Sequence, residues 1–277
     1  MNEVAFPDGT RVPALGIGTW RMGERSARRA REVAAIRRAL DLGMTVVDTA
    51  EMYADGGSEE VVGEAIAGRR DEVFLVSKVL PGNASARGTV MACERSLSRL
   101  NCERLDLYLL HWAGPHPLEE TLAGFERLQR EGSIARWGVS NFDAQAMEGL
   151  QALAGGRACA TDQVYYAASS RGPEFDLAPW LAARGLPLMA YSPIDEGRLA
   201  RNATFAAVGR RHGVTAAQAA LAWVLRRPGV LAIPMSSDPA HVEANRAAAD
   251  LQLTPADLDE IDMRFPPPVA AQPLDMI

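Results

Sequence analysis

Asp48, Tyr53, Lys78 and His111 supply a carboxylate, a phenol, an ammonium and an imidazole, the groups needed to polarise a carbonyl and protonate its oxygen. A free phenol, with a pKa of about 10, is a poor acid near neutrality. A lysine ammonium beside the phenol oxygen favours the tyrosinate and lowers that pKa, and a buried carboxylate can hold the lysine charged and in place. Lys78 and Asp48 fit those two roles toward Tyr53. A neutral His111 could donate a hydrogen bond to the carbonyl oxygen and stabilise the charge that develops there. The set lacks a hydride donor, which no side chain provides.

Three of these residues end short apolar runs: Thr45-Val46-Val47 leads into Asp48, Val73-Phe74-Leu75-Val76-Ser77 into Lys78, and Leu107-Tyr108-Leu109-Leu110 into His111. Such runs read as strands buried on both faces of a parallel sheet, and polar residues at the carboxyl ends of such strands carry function. Runs of this kind place strands at 15–18, 45–48, 73–77, 107–110, 135–139, 161–164, 186–191 and 230–233. Helical spacing falls at 27–42, 58–67, 86–100, 118–130, 144–154, 177–183, 216–225 and 239–249, with an extra helix at 254–265 stopped by Pro266-Pro267-Pro268. The turn Pro7-Asp8-Gly9 predicts a small N-terminal β-hairpin. Alternating strands and helices require parallel pairing with right-handed crossovers, and eight strands favour a closed (β/α)8 TIM barrel over an open doubly wound sheet. An open dinucleotide-binding sheet should also show G-x-G-x-x-G, whereas Gly16-Ile17-Gly18-Thr19-Trp20-Arg21 has arginine at the third position. No polar linker breaks the alternation, so residues 1–277 are expected to form a single domain.

Taken in order, Gly16 to Trp20, Asp48-Thr49-Ala50-Glu51-Met52-Tyr53, Ser58-Glu59, Ser77-Lys78, Leu110-His111-Trp112, Gly138-Val139-Ser140-Asn141, Gln163 and Tyr191-Ser192-Pro193 resemble the aldo-keto reductase family over nearly the whole chain. Within it, residues 48–55, 136–142 and the ending Leu274-Asp275-Met276 are most similar to bacterial methylglyoxal and aromatic aldehyde reductases. The resemblance implies an NADP(H)-dependent oxidoreductase that reduces small aldehydes or ketoaldehydes to alcohols by hydride transfer. Tyr53 would be the general acid, Lys78 and Asp48 would tune it, and His111 would orient the carbonyl. Tyr191 would stack on the nicotinamide, with Ser140, Asn141 and Gln163 on its carboxamide. Gly18, Thr19, Trp20, Asp48, Ser192, Pro193 and the stretch Ile233-Pro234-Met235-Ser236-Ser237, followed by His241 and Asn245, complete the expected cofactor set. Trp20, Met52 and Trp112, beside Tyr53 and His111, would line the substrate pocket, although large residues at loop starts also simply cap a barrel. Tyr165 and Tyr166 read equally well as surface packing.

Many family members carry a lysine and an arginine on the cofactor 2′-phosphate where this chain has Met235 and His241. NADP(H) is therefore expected with weakened preference, and NAD(H) use is open; Asp238 would repel the phosphate if it pointed inward. The short tail after Phe265 suggests an open pocket and broad aldehyde acceptance. Two other readings stand beside the reductase: a Schiff-base lyase or aldolase using Lys78, and a nucleotide-sensing module without turnover.

The composition, 48% hydrophobic and 23% charged with net charge -6 and pI near 5.4, excludes a strongly basic nucleic-acid binder. The arginines from Arg28 to Arg38 interleave with apolar residues at helical spacing and read as a solvated helix face. Cys93, Cys102 and Cys159 show no metal-ligand spacing, and His116, His212 and His241 have no suitable acid or thiol neighbours, so no metal site is expected. The start of the chain lacks a secretory pattern and no stretch is long and apolar enough to span a bilayer, which leads to a cytoplasmic expectation. Family resemblance leans toward a monomer.

Overall fold

The computed structural model describes residues 1–276. Strands β1 (Glu3–Ala5) and β2 (Arg11–Pro13) form the expected antiparallel hairpin, with Val4 opposite Val12. Phe6 after β1 stacks on Phe74 at 5.0 Å between ring centroids. Because Phe74 begins a barrel strand, the hairpin packs at the amino-terminal end of the barrel, away from the catalytic strand ends.

Eight parallel strands follow: β3 (Ile17–Gly18), β4 (Val46–Asp48), β5 (Phe74–Val79), β6 (Leu105–Leu110), β7 (Ile134–Ser140), β8 (Asp162–Tyr165), β9 (Leu188–Tyr191) and β10 (Val230–Ala232). Each pairs with its sequence neighbour. Every residue of β4, β5 and β10 is buried, as strands covered on both faces require. The β3–β10 seam closes through Gly16 N–H to Ala232 O at 2.9 Å, Ala232 N–H to Ala14 O at 2.8 Å and Gly18 N–H to Pro234 O at 3.1 Å. A Cβ on Gly18 would lie 2.7 Å from Ile233 O, so closure at this point needs glycine. The sheet is thus the expected (β/α)8 barrel.

The helices are α1 (Arg29–Asp41), α2 (Gly57–Ile66), α3 (Ala86–Leu100), α4 (Leu118–Glu131), α5 (Ala144–Ala152), α6 (Leu177–Ala182), α7 (Ala203–His212), α8 (Ala216–Leu225), α9 (Pro239–Ala248) and α10 (Pro255–Arg264). One of them, α7, departs from the sequence expectation, which held a single helix between β9 and β10. Its ends carry recognisable signals: the Asn202 side chain accepts from Thr204 N–H at 3.0 Å, and Gly213 leaves the helix at φ 67. The extra helix α10 is tied to α7 by Asp257, which accepts from Arg211 Nη2 and meets His212 Nε2, both at 2.7 Å. No helix among the described residues is long and apolar enough to cross a membrane.

Candidate active site

The carboxyl end of the barrel gathers the four residues that opened the sequence reading. Asp48 ends β4, Lys78 lies near the end of β5, and His111 is the first residue past β6, its N–H held by Val79 O at 3.0 Å. After β4 the chain turns back, which sets the Tyr53 ring centroid 4.9 Å from the Lys78 ammonium, and it bends again just beyond, with Ala54 and Asp55 at φ 51 and 52. Among the described residues, every non-glycine residue with positive φ except Asn101 sits in a loop that follows a barrel strand. Backbone strain therefore concentrates at the rim of the site.

Lys78 is fully buried, and its ammonium donates to Asp48 Oδ2 at 2.7 Å, Thr49 O at 2.9 Å and the Tyr53 hydroxyl at 3.3 Å. All three of its protons are engaged. Burial favours the neutral amine, but the Asp48 charge, Tyr53 and the hydrogen bonds outweigh it and raise the Lys78 pKa. Burial also raises the Tyr53 pKa, and the opposing pull of Lys78 does not cancel it. This corrects the sequence expectation of a lowered phenol pKa: in a dry site the cost of a bare tyrosinate exceeds one ammonium's attraction, part of which Asp48 offsets. Burial first, and Lys78 second, push the His111 pKa down to about 2, which keeps the imidazole neutral. Its ring meets Tyr53 edge-on at 5.8 Å.

Opposite this group, β7, β8 and β9 build a polar shelf. Gln163 Nε2 donates to Asp48 Oδ1 at 2.8 Å, Ser140 Oγ donates to Gln163 O at 2.7 Å, and Asn141 Nδ2 donates to Ser140 Oγ at 3.0 Å and His111 O at 3.1 Å. The Tyr191 hydroxyl donates to Asn141 Oδ1 at 2.9 Å. With these donors engaged inside the shelf, Gln163 Oε1 and lone pairs on Ser140 and Asn141 remain as acceptors, a pattern suited to an amide NH2 beside an aromatic ring.

A cleft of about 510 Å³, within the range of small-molecule sites, lies between the two groups. It is lined by Gly18, Thr19, Trp20, Asp48, Met52, Tyr53, His111, Trp112, Ser140, Asn141, Gln163, Tyr191, Ser192, Pro193, Ile233, Pro234 and Met235. Lys78 sits one layer beneath. Ser236, Ser237, His241 and Asn245 are not among the residues that line this cleft; the two serines lie in the turn between β10 and α9, and His241 and Asn245 lie on α9 itself. Ser236 Oγ is turned to Asp238 O at 3.2 Å. Asp238 is likewise turned away, capping Ala240 N–H at 3.1 Å and pairing with Arg31 at 2.5 Å.

The sequence reading missed five lining residues: Arg21, Ile194, Glu196, Gly197 and Met276. The Asp195-Glu196-Gly197 turn signal after β9 could have pointed to three neighbouring positions, and Met276 lies in the ending already singled out. The tail also corrects the expectation of an uncovered pocket. Leu274 packs on the core, Asp275 accepts from Ser170 Oγ at 2.7 Å, and Met276 faces the cleft. Tyr165 and Tyr166 are buried rather than surface residues, against Tyr191 and Trp223 respectively.

Comparison with known proteins gives one consistent result. A model of the aldo/keto reductase family matches residues 14–263. Methylglyoxal reductase YeaE of Escherichia coli is 49% identical over 279 residues, covering 99% of this chain and 98% of that protein. Glyoxal reductase of Bacillus subtilis is 30% identical, covering 94% and 92%. An aldo/keto reductase of Klebsiella pneumoniae, crystallised with NADP and acetate, superposes with a TM-score of 0.97 at 50% identity over 99% of each chain. A Klebsiella pneumoniae aldo-keto reductase in complex with NADPH gives 0.97 at 49%, covering 100% of each.

Proposed function

From its membership of the aldo/keto reductase family, to which this chain belongs, we propose that it is an NADP(H)-dependent reductase of small aldehydes and ketoaldehydes, methylglyoxal included. Tyr53 is the general acid. The observation that carries the reading is the buried Asp48–Lys78–Tyr53 chain of hydrogen bonds opening onto a cleft beside a neutral His111. The relatives support the substrate class, since one is named for methylglyoxal and another for glyoxal.

The cofactor is tested on this chain's own groups. A nicotinamide ring fits the cleft-facing side of Tyr191, and its carboxamide fits the acceptors left at Ser140, Asn141 and Gln163. When bound, NADPH supplies the hydride that adds to the carbonyl carbon. His111 donates a hydrogen bond to the carbonyl oxygen and fixes its direction. Tyr53 Oη passes its proton to that oxygen as the alcohol forms, and negative charge grows on the phenol oxygen next to Lys78. At 3.3 Å that charge gains about 5 kcal/mol of Coulombic attraction at an effective dielectric constant of about 20, part of it opposed by Asp48. The attraction grows only as the proton leaves, so it lowers the barrier rather than tightening ground-state binding. Trp20, Met52, Trp112 and Met276 offer apolar walls for the rest of the aldehyde. No second chain is needed to complete the set, which is compatible with a monomer in which residues 1–277 work as one domain.

Two alternatives are disfavoured. A Schiff-base lysine must be a neutral amine free to attack, whereas Lys78 is ion-paired with a raised pKa. A sensing module without turnover has no need for the full proton-transfer set. The test is steady-state turnover of an aldehyde panel that includes methylglyoxal, with NADPH and NADH in parallel, and borohydride trapping as control. Cofactor oxidation matched by alcohol formation is expected. Covalent attachment at Lys78, or no turnover of any aldehyde, would overturn the proposal.

A further inference from the structure

Tyr165 belongs to neither group of residues described so far, yet it touches both Tyr191 and the turn after β9, two parts of the cleft wall. It ends β8 directly opposite Tyr191 in register, and the two rings stack at 5.5 Å with an interplanar angle of 27°. Tyr191 lines the cleft and Tyr165 does not, so Tyr165 backs the ring face turned away from the ligand space. Only 5% of Tyr165 is exposed. Its hydroxyl donates to Asp195 Oδ1 and accepts from Arg198 Nη2 at 3.3 Å.

Asp195 starts a strained turn in which Asp195, Glu196 and Gly197 have φ of 54, 49 and 86, and Glu196 and Gly197 line the cleft. Arg198 holds Asp195 from outside through Nε at 2.9 Å. The phenol of Tyr165 is therefore the inner anchor of a turn that would otherwise relax toward extended backbone. The same side chain fixes the tilt of Tyr191, whose hydroxyl in turn holds Asn141.

We propose that Tyr165 is a positioning residue that couples the Tyr191 ring to the 195–197 turn and thereby sets how long the nicotinamide nucleotide stays bound. The proposal rests on the cofactor reading given above. It assigns two separable tasks to one side chain, ring backing and phenol tether, and two variants divide them. Tyr165→Phe keeps the stack and removes the tether; Tyr165→Leu removes both while filling similar space.

The measurement is NADPH binding by fluorescence titration and stopped-flow release, together with the KM for methylglyoxal at saturating NADPH and the melting temperature. Tyr165→Leu is expected to raise the Kd for NADPH about tenfold, the scale of a lost aromatic stack, with the change carried by faster release. Tyr165→Phe should give an intermediate rise of about threefold with native melting, while the aldehyde KM stays within about twofold in both. A merely structural role would instead move melting and aldehyde KM together with Kd, and that pattern overturns the proposal. So does an unchanged Kd in both variants when the wild type binds NADPH. Wild-type protein that fails to bind NADPH overturns the cofactor reading itself and the proposal with it.

Discussion

Replacing Asp48 with asparagine removes one charge from the most buried ion pair of the site. At 2.7 Å the Lys78–Asp48 attraction is about 6 kcal/mol at an effective dielectric constant of about 20, set against several kcal/mol of desolvation for each ion. The intact pair is close to neutral for stability, but Asp48→Asn leaves an uncompensated charge in a residue with no exposed surface. The expected cost is about 3–5 kcal/mol at neutral pH. The substituted amide, with a single oxygen, also cannot accept from both Lys78 and Gln163 as the two carboxylate oxygens do, so one of the two donors faces an NH2 group. The pH dependence identifies the cause. In the wild type the Lys78 pKa is raised above its unfolded value, so its contribution is present below about pH 10.4 and is lost only as pH rises through the folded value. In the variant, burial is left to dominate and the folded pKa drops below the unfolded one. The unfolded chain then binds more protons, and stability rises with pH by up to about 1.4 kcal/mol per unit across that interval. Urea unfolding at a series of pH values reads both effects. A loss under about 1 kcal/mol with no alkaline recovery would refute the argument that Lys78 is held charged by Asp48.

Three further outcomes follow from the same geometry. Reductive kcat/KM should show no histidine inflection between roughly pH 5 and 8, because His111 titrates far below that range, and should fall only as pH rises through the raised Tyr53 pKa; pH-rate profiles at saturating cofactor check this. Met235→Lys adds a charge at the cleft wall and should tighten NADPH about fivefold while leaving NADH unchanged, with a steeper salt dependence in the titration. Asp257→Asn should cost about 1–2 kcal/mol of stability at neutral pH. Burial alone would raise the Asp257 pKa, but hydrogen bonds from His212, Thr254 and Arg211 hold it below the usual range, so the difference from wild type shrinks as pH falls through the carboxylate region. Unfolding at several pH values measures that difference.

The barrel strands were legible because a strand covered on both faces must be apolar throughout, as in β4 and β5. For the same reason a polar residue at the end of such a strand stands out, which is how Asp48, Lys78 and His111 could be found. Helix α7 was missed although its signals are present: Asn202 caps its start, Phe205, Val208 and Gly209 recur at helical spacing on its buried face, and Gly213 follows its end. The roles of Tyr165 and Met276 depend on where the loop after β9 and the tail return in space, which no local pattern encodes. Ser236, Ser237, His241 and Asn245 follow from the family resemblance alone; they lie outside the cleft lining, in the turn before α9 and on that helix, and their part in holding the nucleotide stands as a proposal. The expected direction of the Tyr53 pKa failed because pairing with Lys78 is visible in a sequence and the depth of burial is not.

The central claim is that Tyr53 delivers the proton, and Tyr53→Phe tests it most directly. The variant keeps the ring against His111 and removes only the hydroxyl that Lys78 contacts. The account predicts unchanged NADPH affinity and a loss of methylglyoxal turnover of about a hundredfold or more, the scale of general acid catalysis. Wild-type turnover in a variant that still binds NADPH would contradict it.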